Sequence, residues 1–430
     1  MNLPEWADAL VEQRLREDAG DPAWLRSVRA AAAERIRTVG FPSAKDEEWR
    51  FTNVTPIVGV DRVLAAAAAP DHRMIAPYLL DGALVLVFVN GRLMPGLSRL
   101  DAVPEGVFLG TIRDAHLPGQ VVGSFGRVVH PEPHGFACLN SACFPDAAVI
   151  AVADRTVLDR PIQVLHFGVG SGEASLACPR TFVAVGELSN ATIVETFAST
   201  DGTLLTDAVT EMVVADGASV DYYRWQTQHE AAHHVDLIGA QGGRSSAMKI
   251  TTLASGAALA RSDVAVRLAG EGAEATLNGL YVARGRQHTD HHTRIDHLAP
   301  HCPSHELYKG ILDGHGRAVF SGRIFVQKDA QKTDAKQTNQ NLLLSRDAWV
   351  DTRPQLEIFA DDVRCTHGAT VGRLSDDALF YCRSRGIPQD VAERLLIYAF
   401  AAEILDRIQV PSLRTRIEET ILGPGAQVPR

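Results

Sequence analysis

Hydrophobic and polar positions divide the 430-residue chain into three textures. Up to about residue 39 the apolar residues recur at helical spacing, with charges between them. Leu10, Val11 and Leu15 form one set, and Trp24, Leu25, Val28, Ala32 and Ile36 a second. Asp21 and Pro22 are placed to open the second helix as N-cap and first helical residue, and Gly40-Phe41-Pro42 closes it. The apolar run from Leu84 to Val89 leads directly into Asn90-Gly91, a strong hairpin signal. From about Phe136 to Asp376 long helical patterns vanish. Short β-rich runs replace them, among them Ile162–Phe167, Thr181–Val185, Thr192–Phe197, Val209–Val214, Val220–Trp225 and Val264–Leu268. After Gly372 the helical period returns. Asp376-Asp377 start one helix with acids at its N-terminus, Gly386-Ile387-Pro388 interrupts, and 389–408 carries a broad apolar band. The tail from Pro424 is expected to be loose.

Within the β-rich stretch a turn residue, a small residue and then alternating apolar positions recur. Examples are Ser189-Asn190-Ala191, Asp216-Gly217-Ala218, Ser255-Gly256-Ala257, Glu271-Gly272-Ala273, Arg346-Asp347-Ala348 and Thr366-His367-Gly368-Ala369. The intervals are irregular for a repeat protein. The pattern fits a stack of β-coils with variable turns, a β-helix or β-solenoid, with a β-sandwich as competitor. Apolar residues would fill the inside, and charged ones such as Asp221, Arg224 and Arg267 would face out. Three segments follow: a helical and mixed part over 1–135, a β core over 136–373, and a helical part over 374–430.

Composition narrows the class. A net charge of −10 argues against a protein held on nucleic acid by phosphate contacts. Six scattered cysteines without a C-x-x-C pair fit free thiols in a reducing compartment. No run of about 18 apolar residues predicts a membrane span, and the acid-containing N-terminus lacks a signal-peptide core, so a cytoplasmic protein is expected.

The chemistry-bearing stretch is PQLEIFADDVRCTHGATVG, from Pro354 to Gly372. Cys365 and His367 stand two apart on a predicted strand, so they share a face with Cα atoms roughly 6.5 Å apart. A thiolate and an imidazole supply half a tetrahedral shell for iron, zinc or sulfur species, and the rest must come from elsewhere, plausibly another chain. The alternative is a buried structural cysteine beside a hydrogen-bonded histidine. A second candidate is the density of His288, His291, His292, His297, His301 and His305, with Asp290, Asp296 and Cys302 among them. It is metal-like in composition, but strand alternation would scatter the rings over both faces. In Lys45-Asp46-Glu47-Glu48-Trp49-Arg50-Phe51-Thr52-Asn53 a solvated charge run with two packing aromatics is the expectation. The Gln- and Asn-rich ribbon 329–345 reads as structural or interfacial, its amides bonding to turns or to a facing chain, since neutral amides are poor general acids or bases. No P-loop, G-x-S-x-G or H-E-x-x-H occurs.

YKGILDGHGRAVFSGRI, DAQKTDAKQTNQNLLLS, DTRPQLEIFADDVRCTHGATVG and LFYCRSRGI resemble the C-terminal half of the SufD family, and KDEEWRFTN its N-terminal region. These proteins are subunits of the SUF machinery for iron–sulfur cluster assembly. The paralogous SufB family is similar but carries a cysteine followed by Asp-Ser before the Leu-rich strand, where this chain has Asn339-Gln340-Asn341-Leu342. It also has Glu-His-Glu-Ala against Thr366-His367-Gly368-Ala369 here. The resemblance implies a mainly β fold, a right-handed parallel β-helix flanked by N-terminal and C-terminal helical domains. It implies a non-catalytic scaffold that pairs with SufB, or with itself when isolated. It implies a SufBCD complex with two copies of the SufC ATPase, one of them docked on this chain's C-terminal helices. The docking candidates there are Leu395, Leu396, Tyr398 and Phe400. Cys365 and His367 match the pair implicated at the SufB interface, holding iron or a nascent Fe–S cluster transiently, with no tightly bound cofactor in the isolated chain. The other readings are a SufB-like cluster scaffold, a β-helical carbohydrate-active enzyme using Asp361-Asp362, and a stand-alone iron-binding protein using the 288–305 histidines.

Overall fold

Alternating residues from Leu84 onward form strands that stack in register on the strand one coil earlier. In the computed structural model, which describes residues 2–128, 135–200 and 202–422, they build two sheets facing each other across a common core. The first runs from Val107–Thr111 through Arg180–Val185, His233–Gly242 and His288–His297 to Trp349–Ile358. The second runs from Leu84–Val89 through Ile162–Gly168, Ser219–Gln228 and Pro303–Leu312 to Arg364–Gly372. The chain alternates between them, so each sheet is parallel along nearly its whole length, and the result is a β-solenoid of about eight turns. The solenoid reading is borne out over the sandwich. Asn90 and Gly91, both at positive φ, turn the one early hairpin, which closes on Arg92–Leu93.

A corner ladder sets the coil length. Leu188, Gly217, Ser245, Gly272, His301 and Lys332 all take positive φ and follow one another at intervals of 27–31 residues. Each donates its backbone N–H to a carbonyl of the next coil, as in Ser245 to Glu271 at 2.9 Å and Lys332 to Asp362 at 2.7 Å. The opposite corner repeats at Gly256, Gly285 and Gly314. The recurrent turn motif looked irregular because it mixed these two corners with Thr366–Ala369, which lie within a strand.

Strand parity decides what is inside. Ala191, Val220, Met248, Ala275, Ser304, Ala335 and Cys365 form one inward column by register. Two tyrosines interlock in a parallel column: Gly279 leaves room for the Tyr308 ring and Gly310 for Tyr281, where an added Cβ would stand 2.1 and 2.2 Å from ring atoms. Arg224 does not face out. It lies an odd number of positions from Asp221, hence on the opposite face, and is buried with Val220 and Tyr222, paired to Asp236. Beside it Glu195 accepts from Thr181 Oγ1 at 2.5 Å and Thr210 Oγ1 at 2.6 Å, with His166 Nε2 at 2.9 Å. Burial alone would raise this carboxyl, but His166 and the hydroxyls hold it below its usual range.

Helices cover the outer faces. Glu5–Glu17, Ala23–Val39 and Gly135–Cys143 pack on the first sheet through Leu10, Val11, Leu25, Ile36 and Phe136 against Phe182, Leu205 and Val235. Gln389–Leu405 and Pro411–Leu422 pack on the second through Ile404, Leu405, Leu413 and Ile417 against Tyr223, Trp225, Leu280 and Leu307. Asp21 does not cap its helix, whose N-cap is Pro22; its carboxylate is drawn instead to Arg29 at 3.0 Å and Arg113 at 2.8 Å. No described helix is long and apolar enough to cross a membrane. The tail from Pro424 lies outside the described residues.

Candidate functional site: the uncovered last coil

The solenoid ends on Trp349–Ile358 in one sheet and Arg364–Gly372 in the other, and among the described residues each pairs on one side only. Their outer backbone N–H and C=O groups face away from the fold, a ready template for another strand. Large apolar side chains stand exposed around this end: Trp349, Ile358, Phe359 and Val371.

Cys365 and His367 lie on Arg364–Gly372, in register with Ala335 and Gln337. Those two neighbours are fully buried, so the inward columns of the solenoid emerge at the open end as this thiol and this imidazole. Cys365 is half-buried and His367 exposed. Cys365 is the only one of the six cysteines that is not buried, and it packs on the small cluster of Ile324, Val326, Ala330 and Ala360. Partial burial pushes its thiol up, and Asp334 adds to the shift, so the isolated chain presents a protonated sulfur. Among the described residues no three His, Cys, Asp or Glu side chains converge as a metal shell. The pair alone has the donor types for a soft or borderline metal but half the number needed.

In the amide ribbon Gln331 bonds turns, donating to the Lys328 carbonyl at 2.9 Å and accepting from the Asp362 N–H at 2.9 Å, while Gln337, Asn339 and Asn341 point inward. Asn341 Nδ2 donates to Asn339 Oδ1 at 2.7 Å, and Tyr281 Oη to Asn341 Oδ1 at 2.6 Å. Gln337 Nε2 donates to Glu306 Oε2 at 2.7 Å. Glu306 is buried without a cation, and desolvation pushes its carboxyl up to about 7. Gln337 lies directly behind His367 and Glu306 behind Gln337; sequence reasoning took the first only as part of the ribbon and passed over the second. Their signal was parity, since Ala335, Gln337, Asn339 and Asn341 share one face.

The dense histidines do not come together. His291 stacks on Tyr281 inside the solenoid, with ring centroids 4.8 Å apart. His297 lies 3.0 Å from Ser304 Oγ, and His301 sits exposed at a corner with φ 60°. His288 and His292 face outward, where KDEEWRFTN docks on them. Thr52 Oγ1 donates to Asp290 Oδ2 at 2.5 Å and lies 2.9 Å from His288 Nε2, while Glu48 lies 3.1 Å from His292 Nδ1. Arg261 bonds Asp290 at 2.9 Å and the Glu48 carbonyl at 2.6 Å, and its guanidinium lies 3.6 Å over the Trp49 ring. Glu47 reaches Arg353 on the last coil at 2.8 Å. The segment keeps its charged residues Lys45, Asp46, Glu47, Glu48 and Arg50 exposed and Trp49 buried, as expected, and it also anchors the N-terminal region on the solenoid. Asp362 closes the last corner with Lys332, which gives this member of the acid pair a structural role.

On the C-terminal helices, Leu395 and Leu396 are half-buried. Tyr398 donates to Glu418 at 3.1 Å and Phe400 lies under Lys309 Nζ at 4.8 Å, so both are engaged within the chain. The most exposed apolar side chains there are Phe380 and Tyr381, on Asp376–Ser384, which the sequence reading did not single out.

Residues 167–400 match the family model described as the SUF system FeS cluster assembly SufBD core domain, and residues 8–164 match the SufBD protein N-terminal region. The chain belongs to the SufBD family. A SufBD family iron–sulfur cluster assembly protein of Synechocystis is 32% identical over 96% of this chain and 94% of its own length. The iron–sulfur cluster assembly protein SufD of Escherichia coli is 33% identical over 89% of each chain, and SufD of Bacillus subtilis is 24% identical over 93% and 94%. The matched SufBD core takes in the solenoid from Phe167 to its uncovered end and reaches Phe400 on the helix Gln389–Leu405. Iron–sulfur cluster assembly is thus the process this family serves, as the resemblance implied.

Proposed function

We propose that this chain is a SufD-type, non-catalytic scaffold subunit. It pairs through its last coil with the β-solenoid of SufB and carries a SufC ATPase on its C-terminal helices. The observation that carries this reading is the open end itself: unpaired strand edges, exposed apolar side chains, and a thiol and imidazole that make half a coordination shell at the same place. A second solenoid laid edge to edge would satisfy the backbone groups by strand addition and cover Trp349 and Val371. It would also bring the missing ligands to Cys365 and His367, so that iron or a nascent cluster is held as cargo between the subunits. In isolation the same edge is self-complementary, and a two-fold homodimer would use it. ATP hydrolysis belongs to SufC in this scheme, and the movement it drives opens the interface. The setting is cytoplasmic. The lack of a cysteine in 339–342 favours a SufD-type over a SufB-like role.

Co-purification with SufB and SufC tests the assembly. Wild-type chain should bring down both partners. Leu395→Asp with Leu396→Asp should lose SufC alone, and Val371→Asp should lose SufB. A wild-type chain that retains neither partner refutes the proposal.

A further inference from the structure

We propose that Gln337 is the positioning residue for His367: its side-chain carbonyl accepts the imidazole N–H that faces the core, leaving the other ring nitrogen unprotonated and directed outward. The inference rests on reading His367 as an interface ligand only for its purpose; the proposed contact involves residues of this chain alone.

The geometry is built from three strands. Glu306, Gln337 and His367 occupy the same inward column on Pro303–Leu312, Asp334–Leu343 and Arg364–Gly372. Consecutive members of a column lie about 4.8 Å apart, within reach of one another's side chains. Gln337 is 1% exposed. Glu306 Oε2 takes up its amide N–H at 2.7 Å, which uses the nitrogen end of the carboxamide. The oxygen end, Oε1, is buried and has no donor among the described residues. Gly322 leaves room for this pose from across the core, since a Cβ there would stand 2.2 Å from Gln337 Nε2. A buried amide oxygen without a partner is uncommon and calls for a donor.

The column supplies one. His367 is the next residue along it, exposed at the open edge, so its ring is free to turn toward an acceptor behind it. An imidazole that gives one N–H to a carbonyl has its tautomer and ring plane set, and its second nitrogen is left as the lone-pair donor. Glu306 thereby acts at one remove: it orients the amide, and the amide orients the ring.

The test reads the ring directly. The full chain is labelled with ¹⁵N-histidine, and long-range ¹H–¹⁵N side-chain spectra are recorded at alkaline pH, with His367→Ala identifying its resonances. The wild-type ring should show one protonated and one unprotonated nitrogen, well separated in shift. Gln337→Leu removes the acceptor and should move both nitrogens toward the averaged values of a free imidazole. Gln337→Glu keeps an acceptor oxygen and should restore the separation. Unchanged resonances of the buried His291 and His297 report that the variants fold. An averaged His367 ring in the wild type, or a ring indifferent to Gln337→Leu, overturns the proposal. Failure of the interface role is distinguishable, because it appears as normal cluster assembly in His367→Ala whatever the tautomer.

Discussion

Asp290→Asn removes one negative charge from the anchor that holds the N-terminal segment on the solenoid. Asp290 is fully buried and gathers Thr52 Oγ1 at 2.5 Å, Arg261 Nη1 at 2.9 Å and His292 Nε2 at 3.1 Å. The substitution is nearly isosteric, but it leaves the buried Arg261 with one carboxylate, Asp263 at 2.9 Å, beside the Glu48 carbonyl, and turns an acceptor oxygen into an N–H donor facing other donors. Removing one partner of a buried ion pair costs about 3–5 kcal/mol, and the surviving Asp263 contact places the expectation near about 3 kcal/mol. The pH dependence carries a sign. Burial would raise the Asp290 carboxyl, yet His292 and Arg261 outweigh it and hold it well below the usual range. Its contribution is therefore complete above the unfolded value of about 3.9 and lost as pH falls through the depressed native value. For His292, burial and Arg261 lower the imidazole, but Asp290 and Glu48 raise it overall. Its contribution is complete below about 6.5 and lost as pH rises through the raised native value. Urea unfolding of wild type and variant at several pH values measures both effects. Limited proteolysis should cut the variant sooner within the segment 40–60. A loss below about 1 kcal/mol, typical of an exposed pair, would refute the anchor.

Three further expectations concern the core and the open end. Gly310→Ala drives a methyl into the Tyr281 ring and should cost about 1–3 kcal/mol in the same unfolding experiment. Native chain should take up a single iodoacetamide, at Cys365, with a rate that keeps rising beyond pH 9 because partial burial raises the thiol; multiple labelling under native conditions would contradict the burial pattern. Val371→Asp, on a side chain 49% exposed, should leave folding stability within about 0.5 kcal/mol while lowering the mass of any self-associated species in sedimentation.

Much of the architecture was legible in advance, and the failures have physical causes. The helix-to-β-to-helix texture, the Asn90-Gly91 hairpin and the break at Gly386 followed from local rules that no tertiary contact overrides. The coil period was hidden because a solenoid has two corners per turn, and alanine or glycine serves at both. Arg224 was misplaced because charge was weighed above parity; a core that pairs Arg224 with Asp236 and surrounds Glu195 with hydroxyls tolerates charge inside. The anchoring role of the segment was hidden because its partners, Arg261, Asp290 and Arg353, lie more than 200 residues away in sequence. At the site, the strand argument placed Cys365 and His367 on one face, while the residues behind His367 became visible only once the register of three strands was known.

The central claim is that Cys365 and His367 are an incomplete shell finished by a neighbouring subunit. Anaerobic cluster assembly on the complex with SufB and SufC, followed by iron and sulfide content and visible absorbance, tests it most directly. Cys365→Ala and His367→Ala should each form the intact complex yet accumulate far less cluster than wild type. Full cluster content in both variants, on a complex of normal composition, would contradict the account.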